Sequence, residues 1–263
     1  MVSRGAENNH WWSFHHDWQN EKGEVIEETP LTIYVNGVEL ATIMGTPLNQ
    51  DWLAVGFLKN EGILNSVDEI EDLRITSEGC CIDVLLDRTV ELPTKKIITS
   101  GCGGGITFDD PEIGIEPLQF NTSTTPDHIL SAFKMLQTKD SLYARARGVH
   151  AAGLLDLNNN RLIKVAEDVG RHNSIDKLRG ACLLEGIPTE GRALLTTGRI
   201  SSEMLRKGAL MGCPVIASRT SPTSLAIEMA NSWKITLVGY ARHGKLRVYC
   251  YPERLGFESE GEL

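Results

Sequence analysis

The chain of 263 residues lacks several features that would assign it to a common class. It contains no run of about 18 apolar residues that could form a membrane-spanning helix, and no leading apolar segment resembles a signal peptide. Basic side chains are not in excess, since 26 Lys and Arg against 35 Asp and Glu give a formal net charge of −9. That balance argues against general nucleic-acid binding, which requires a basic surface. The sequence predicts a cytoplasmic protein whose partners are neither membranes nor nucleic acids.

Paired cysteines are also lacking, because none of the six cysteines has C-x-x-C spacing, and we expect reduced thiols. Cys102 has an unusual setting, "SGCGGG", directly after a β-branched stretch. The glycines could serve only a tight turn, with Cys102 as a small apolar filler. Alternatively, the bare backbone leaves a reactive thiol open to large partners and offers amide N–H groups to a thiolate. The other five cysteines lie in patterns typical of strands, helix ends or core.

The pattern along the chain predicts an α/β protein with two domains. Residues 1–26 fit neither a helix nor a strand template and are expected to form a flexible segment. Residues 27–122 predict a smaller α+β domain that begins with a hairpin at Asn36-Gly37 and contains the Cys102 loop. Residues 123–263 alternate strands with helices, which predicts a largely parallel sheet covered by helices. Its last two strands turn at His243-Gly244.

Three loops of the larger domain carry an arginine close to Ser, Thr or Asn groups that can cap the next helix. They are "EDVGRHNS" with Arg171, "TTGRISSE" with Arg199 and "SRTSPTS" with Arg219. Ligands bind at the carboxyl ends of strands in such sheets, where helix N-termini and guanidinium groups favour phosphate. We therefore expect an anion site there. His150 and His172 are candidate site groups, or structural histidines.

Other chemical motifs fail when tested against the sequence. The glycine loop is not followed by Gly-Lys-Ser/Thr and does not open a convincing helix, which excludes phosphate loops of the Walker and Rossmann types. "VHAAG" and Cys213-Pro214 resemble parts of the zinc-deaminase pattern, but the glutamate and the second cysteine are missing. We expect no metal site.

Several longer motifs are more specific: "TSGCGGG", "HAAGL", "EDVGRHNSIDKL", the segment from "TTGRISSEMLRKG" to "SLAIEMA", and "ITLVGYARHGKLRVYCYPERL". Together with "EETPLTIYVNG", "IMGTP" and "LAVGFLKNEGI", they occur in the order that is typical of the formate dehydrogenase accessory sulfurtransferase family, FdhD. The chain resembles this family over residues 27–255.

This resemblance implies a sulfur carrier that accepts persulfide sulfur from a cysteine desulfurase and transfers it to a molybdenum cofactor. The cofactor, bis(molybdopterin guanine dinucleotide), would be bound as substrate and then serve formate dehydrogenase, and guanine nucleotides would mimic it. The resemblance also implies a larger domain with a cytidine deaminase-like fold, a mixed sheet with helices on both faces. We further expect a homodimer. The family's sulfur-bearing cysteine falls on Cys102. Its cofactor-binding segment falls on Tyr240, Ala241, Arg242, His243, Gly244 and Lys245.

The chain departs from many relatives at Gly105, where those relatives have a second cysteine. This difference argues against a thiol relay within the loop and favours a single persulfide carrier. Two alternatives stay open from the sequence. One is a chaperone that binds the molybdenum cofactor without transferring sulfur, and the other is an unrelated nucleotide-binding enzyme.

Overall fold

The computed structural model describes residues 5–76, 79–91, 97–98, 106–107, 115–119, 122–136 and 138–258. They form a mixed α/β structure with two larger sheets and two short strand pairs. The predicted α/β class is therefore confirmed. Among the described residues, no helix combines the length and the apolarity that a membrane crossing requires.

The N-terminal segment forms a β-hairpin, so the interpretation that its sequence fits no strand template is wrong. Strands β1 (Ala6–Phe14) and β2 (Trp18–Ile26) pair antiparallel. Phe14 and Trp18 face each other with ring centroids 5.2 Å apart, and the Trp11 indole donates a hydrogen bond to Glu21. Because most residues on both faces of this hairpin are exposed, the sequence lacks the alternation that identifies a half-buried strand.

The next four strands form a sheet in the order β4-β3-β6-β5, and helix α1 packs against it. The bounds are β3 (Thr29–Val35), β4 (Val38–Gly45), α1 (Gln50–Asn60), β5 (Ile70–Ile75) and β6 (Cys81–Leu86), with a 3-10 turn at Val67–Glu69. The predicted hairpin turn is confirmed, since Asn36 and Gly37 have φ angles of 51° and 77°, as a two-residue type I′ turn requires.

Two short strands, β7 (Ile97–Ile98) and β8 (Ile106–Thr107), pair antiparallel. The chain between them contains Cys102, which lies outside the described residues. The predicted setting of this thiol therefore stays a prediction.

The larger sheet has the order β10-β9-β11-β12-β13-β14. Its elements are α2 (Pro126–Met135), α3 (Leu142–Ala146), β9 (His150–Asp156), β10 (Arg161–Asp168), α4 (Arg171–Leu184), β11 (Ala193–Thr196), α5 (Ser202–Leu210), β12 (Val215–Ser218), α6 (Ser224–Ser232), β13 (Thr236–Arg242) and β14 (Lys245–Cys250), followed by a 3-10 turn at Pro252–Leu255. Strands β11, β12 and β13 are parallel, and the other neighbours are antiparallel. The sheet is therefore parallel only at its centre, and not largely parallel as expected. The hairpin of β9 and β10 at one side and that of β13 and β14 at the other add antiparallel strands.

Helices cover both faces of the larger sheet. Leu194 packs with residues of α4, α5 and α6, whereas its neighbour Leu195 packs on the other face with Ile129 and Phe133 of α2. This alternation follows from the strand period of two. The cytidine deaminase-like fold and the domain boundaries stay predictions.

Helices α1 and α4 cross at two glycines and join the two halves of the chain. A Cβ atom on Gly56 would lie 1.8 Å from the carbonyl oxygen of Asp176, and one on Gly180 would lie 1.9 Å from that of Trp52. Only glycine permits this close approach of two helix backbones. The orientation of α4, which begins at the predicted "EDVGRHN" motif, is fixed by the N-terminal half.

A buried ion pair holds the turn that precedes α4. The Lys177 ammonium lies 2.6 Å from the Asp168 carboxylate, and both side chains have no exposed surface. Asp168 also accepts hydrogen bonds from the backbone N–H of Thr46 (3.1 Å) and of Gly170 (2.7 Å) and from the Asn173 amide (2.9 Å). Four donors thereby satisfy a charge that would be costly to bury alone. Because Thr46 belongs to the N-terminal half, this carboxylate connects both halves at the start of α4.

A second buried pair joins α4 to α5. The Lys207 ammonium lies 2.8 Å from both oxygens of Asp176 and 3.5 Å from Glu203. Although burial opposes the charged form, these carboxylates raise the pKa of Lys207 above its ordinary value. The Asn60 amide donates to Asp176 and its oxygen accepts from Arg179. The pair is therefore part of a hydrogen-bonded network that reaches α1.

Candidate functional site

The loops that follow β11, β12 and β13 form one platform at the carboxyl edge of the larger sheet. The backbone N–H of Ile200 donates to the Ser221 carbonyl (3.1 Å), and the N–H of Tyr240 donates to the Thr220 carbonyl (2.9 Å). Parallel strands end at the same edge, so their loops are neighbours there. The structure thus brings the loops that carry the predicted arginines to one edge of the sheet.

A cleft of about 450 Å³ lies between this platform and α2. Arg219, from the loop after β12, and residues 241–244, from the hairpin of β13 and β14, line one side. The polar face of α2, with Asp127, Ser131 and Lys134, lines the other. The structure therefore places one predicted arginine and most of the predicted cofactor segment in the same cavity.

Among the described residues that line the cleft, positively charged side chains outnumber negatively charged ones. In the part of the chain that the structure describes, no carboxylate forms an ion pair with Lys134, Arg219 or Arg242. The Arg242 guanidinium lies 5.9 Å from the centroid of the Tyr240 ring. Against these three cations stands one carboxylate, Asp127. Such an arrangement favours an anionic ligand.

A β-bulge shapes the strand that enters the cleft. The pairing of β13 with β14 shifts between Gly239 and Arg242, and Tyr240 in the bulge has a φ of 52°. This left-handed conformation is rare for an aromatic residue, and the surrounding structure must stabilise it. The Arg247 guanidinium lies 4.4 Å from the Tyr240 ring centroid. The Tyr240 ring therefore lies close to two arginine side chains, Arg242 and Arg247.

The turn after the bulge is the predicted one. His243 and Gly244 have φ angles of 54° and 72°, and Arg242 pairs with Lys245 across them. Both turn residues and Lys245 are exposed, while Ala241 is buried. The segment of residues 240–245 is thus a hairpin end that projects from the carboxyl edge and lines the cleft.

The helix N-termini at this edge differ in their caps. Ser201 caps α5 by accepting the Met204 N–H, and Thr223 caps α6 by accepting the Ala226 N–H. These capping groups were expected beside Arg199 and Arg219. Helix α4 begins at Arg171, after Gly170, which provides no side-chain cap.

His172 is buried and is not among the residues that line the cleft. It is 7% exposed, and its Nε2 lies 3.3 Å from Glu203 and 3.5 Å from the Ser201 hydroxyl. Burial, together with the cations Lys207 and Arg171, lowers the pKa of His172 to about 3. The imidazole is therefore neutral near pH 7, and its contact with Glu203 is not an ion pair.

Arg171 and Arg199 lie beside the cleft, outside the set of residues that line it. A Cβ on Gly198 would lie 2.8 Å from the Arg171 Cβ, which places the two loops in contact, and Arg199 is exposed next to Gly198. His150 lies next to the loop that carries Arg199, since its Nδ1 is 3.3 Å from the Thr197 hydroxyl. Burial and then Arg171 lower the pKa of His150. The predicted arginines thus fall into two neighbouring groups: Arg219 lines the cleft, and Arg171 and Arg199 lie on two loops that contact each other.

Three of the five described cysteines, Cys182, Cys213 and Cys250, are less reactive than an exposed thiol. Burial raises the pKa of Cys182 to about 11 and that of Cys213 to about 12, and it raises that of Cys250. The thiolate is the nucleophilic form, so these three are poor nucleophiles. Cys80 and Cys81 are partly exposed. Among the described residues there is no disulfide and no group of three or more His, Cys, Asp or Glu that could hold a metal ion.

Sequence reasoning missed the contribution of α2. Asp127 and Lys134 are seven residues apart, which is about two helical turns and places both on one side of α2. The apolar residues between them predicted the buried face. No local pattern indicates that the opposite face meets the β13–β14 hairpin, which lies more than a hundred residues later.

Comparisons with known proteins agree with the motifs. The model of the FdhD/NarQ family matches residues 26–256. The sulfur carrier protein FdhD of Staphylococcus haemolyticus (strain JCSC1435) is 37% identical over 249 residues, which cover 89% of this chain and 93% of that protein. The protein of the same name from Bacillus subtilis (strain 168) is 34% identical over 251 residues, covering 90% and 95%. A crystal structure of a protein assigned as a formate dehydrogenase accessory protein, from Desulfotalea psychrophila, is 29% identical with a TM-score of 0.78, covering 95% of this chain and 99% of that one.

Proposed function

The chain belongs to the FdhD/NarQ family, and from this premise we propose that it is a sulfur carrier that serves a formate dehydrogenase. The family that the motifs predicted is thereby confirmed. In this proposal Cys102 accepts persulfide sulfur from a cysteine desulfurase. The acceptor of that sulfur is the molybdenum cofactor in its bis(molybdopterin guanine dinucleotide) form, bound as substrate.

One observation supports the cofactor part of the proposal: the cleft at the carboxyl edge contains cations that form no ion pair with any described residue. In the described chain, neither Arg219 nor Arg242 forms an ion pair, and both line a cavity of about 450 Å³. Fixed cations of this kind bind phosphate, which the dinucleotide ends of the cofactor carry. We propose that residues 240–245 and Arg219 hold one dinucleotide end, and that Arg171 and Arg199 contact phosphate at the adjacent loops. His172, which is buried behind Arg171, would act only by supporting α4.

The cysteine part of the proposal is supported by the burial of three of the other cysteines and by the glycine-rich setting of Cys102. Three of the five described cysteines are buried thiols whose raised pKa keeps them protonated. Cys102 lies in the chain between β7 and β8, in a stretch with four glycines that allow a large partner to approach. Its thiolate would attack the outer sulfur of the donor persulfide, so that a new S–S bond forms on Cys102 and the donor leaves as a thiolate.

Three further features belong to the proposal. A sulfur carrier needs a reduced thiol, which places it in the cytoplasm. We propose a homodimer, and a cytidine deaminase-like fold for the larger unit, whose mixed sheet has helices on both faces.

The experiment separates sulfur loading from cofactor binding on the same purified protein. After incubation with a cysteine desulfurase and cysteine, the intact mass should increase by one sulfur atom, and a reductant should remove it. Cys102→Ala should abolish this adduct and retain binding of guanosine diphosphate. Arg242→Ala combined with Lys245→Ala should load sulfur normally and lose nucleotide binding.

Cys80→Ser and Cys81→Ser serve as matched controls, because both thiols are partly exposed. If the adduct survives Cys102→Ala and disappears in either control, Cys102 is not the carrier. A cofactor chaperone without sulfur transfer would bind the nucleotide and gain no sulfur in any variant.

A further inference from the structure

Helix α2 presents a charged face to the cleft, and the proposed function assigns no role to the residues of this face. Its inward residues Ile129 and Phe133 pack in the core under the larger sheet. The helical period therefore turns Asp127, Ser131 and Lys134 toward the cavity that Arg219 and Arg242 line from the other side. The packing of these core side chains sets which face of α2 is turned to the cleft.

Asp127 is unexpected in a site for phosphate. Its side chain lines the cleft and forms no ion pair or hydrogen bond with any other part of the described chain. A carboxylate repels phosphate and so lowers the affinity of a purely anionic site. It increases affinity only if another part of the ligand presents hydrogen-bond donors to it.

We propose that Asp127 recognises the guanine base and that Lys134 contacts the phosphates of the same dinucleotide end; this inference rests on the proposed function. Guanine presents its N1–H and its 2-amino group side by side, so they can donate to the two oxygens of one carboxylate. Adenine presents an acceptor at N1, which the carboxylate repels. Asp127 would therefore select guanine partly by rejecting adenine.

The dimensions of α2 suit this division of roles. Seven residues separate Asp127 from Lys134, which corresponds to about 10 Å along the helix axis. This length is comparable to the distance between the base edge and the phosphates of a nucleotide. One helix face thus provides an acceptor for the base at one end and a cation for phosphate at the other.

The test is calorimetric titration of the full chain with guanosine, inosine and adenosine diphosphate. The wild type should bind guanosine diphosphate at least about 10-fold more tightly than adenosine diphosphate, with inosine diphosphate, which lacks the 2-amino group, between them. Asp127→Asn should reduce this preference to within about 3-fold. Lys134→Ala should weaken both guanosine and adenosine diphosphate by about 10-fold and leave their ratio unchanged.

Asp140→Asn is the matched control, because Asp140 is also exposed and does not line this cleft. Thermal unfolding of each variant shows whether the fold is intact. Two results would overturn the role of Asp127 and leave the proposed cofactor cleft intact. One is equal affinities of the wild type for guanosine and adenosine diphosphate, and the other is an unchanged ratio of these affinities in Asp127→Asn. If the folded wild type binds none of the three nucleotides, the proposed cofactor cleft and this inference both fail.

Discussion

Charged side chains occur in two regions of the molecule, and their balance differs between them. One region is the interior between α1, α4 and α5, and the other is the cleft between α2 and the β13–β14 hairpin. Among the described residues, the buried charged side chains other than His172 comprise four acids and four bases. The acids are Glu61, Asp168, Asp176 and Glu203, and the bases are Lys177, Arg179, Arg206 and Lys207. The cleft instead has three cations and one carboxylate without ion-pair partners in the described chain.

The difference follows from access to water. A charge in the interior loses its hydration and is tolerated only with a partner, so the buried network is balanced and serves the fold. A charge in an open cleft keeps its hydration and needs no partner, so it stays available to a ligand. Unbalanced charge at the edge of a sheet therefore indicates binding, whereas balanced charge in the interior indicates structure.

The largest expected effect comes from breaking a buried pair. Asp176→Ala leaves the Lys207 ammonium, 2.8 Å from Asp176 in the native protein, without its main partner. We expect the free energy of unfolding to fall by about 3–5 kcal/mol in urea denaturation. Asp127→Ala, which removes a carboxylate from the cleft, should cost less than about 1 kcal/mol.

Replacing both partners sharpens this test. Asp176→Leu combined with Lys207→Met should recover part of the loss, because no uncompensated charge remains in the interior. Equal destabilisation by Asp176→Ala and Asp127→Ala would contradict the contrast between the two regions.

A smaller effect, on binding instead of stability, is expected in the cleft. Arg219→Ala should weaken binding of guanosine diphosphate by about 1.5–3 kcal/mol, the range for a charge-assisted hydrogen bond. The free energy of unfolding should change by less than about 0.5 kcal/mol, because Arg219 has no ion pair to lose in the described chain.

Arg161→Ala is the matched control for this measurement. Arg161 is exposed at the start of β10, at the opposite edge of the sheet, and its loss should leave the nucleotide affinity unchanged. If both variants weaken binding equally, the effect is one of net charge and the cleft is not the site.

The smallest expected effect is a pH dependence of stability at His172. Its pKa of about 3 in the folded protein lies below the ordinary value of 6.5, so between these values the unfolded chain holds a proton that the folded protein does not. The contribution of His172 to stability is therefore greatest above pH 6.5 and falls on acidification, with a slope of at most about 1.4 kcal/mol per pH unit. Urea denaturation between pH 7 and pH 5 measures this slope, and His172→Gln should reduce it. An unchanged slope in that variant would show that His172 does not titrate as its burial implies.

The sequence by itself determined the features that depend on neighbouring residues. The hairpin turns at Asn36-Gly37 and His243-Gly244 were predictable because two-residue turns need specific local backbone angles. The helices and strands of the larger sheet were predictable from apolar periodicity, and the family from ordered motifs. The hairpin of β1 and β2 was missed because most of its residues on both faces are exposed, which removes the periodic signal.

Only the tertiary structure decided which distant residues meet. Asp176 and Lys207, which form a buried ion pair, are far apart in the chain, as are Asp127 and Arg242, which line the same cleft. No local pattern distinguishes the buried charges from those in the open cleft. The backbone contact at Gly56 and Gly180 sets the position of α4, and the packing of α2 under the sheet sets the position of Asp127. Pattern and periodicity report which face of an element is buried. Which charges lie in the interior and which remain free for a ligand depends on how the elements pack, because only packing removes water from one set and leaves it around the other.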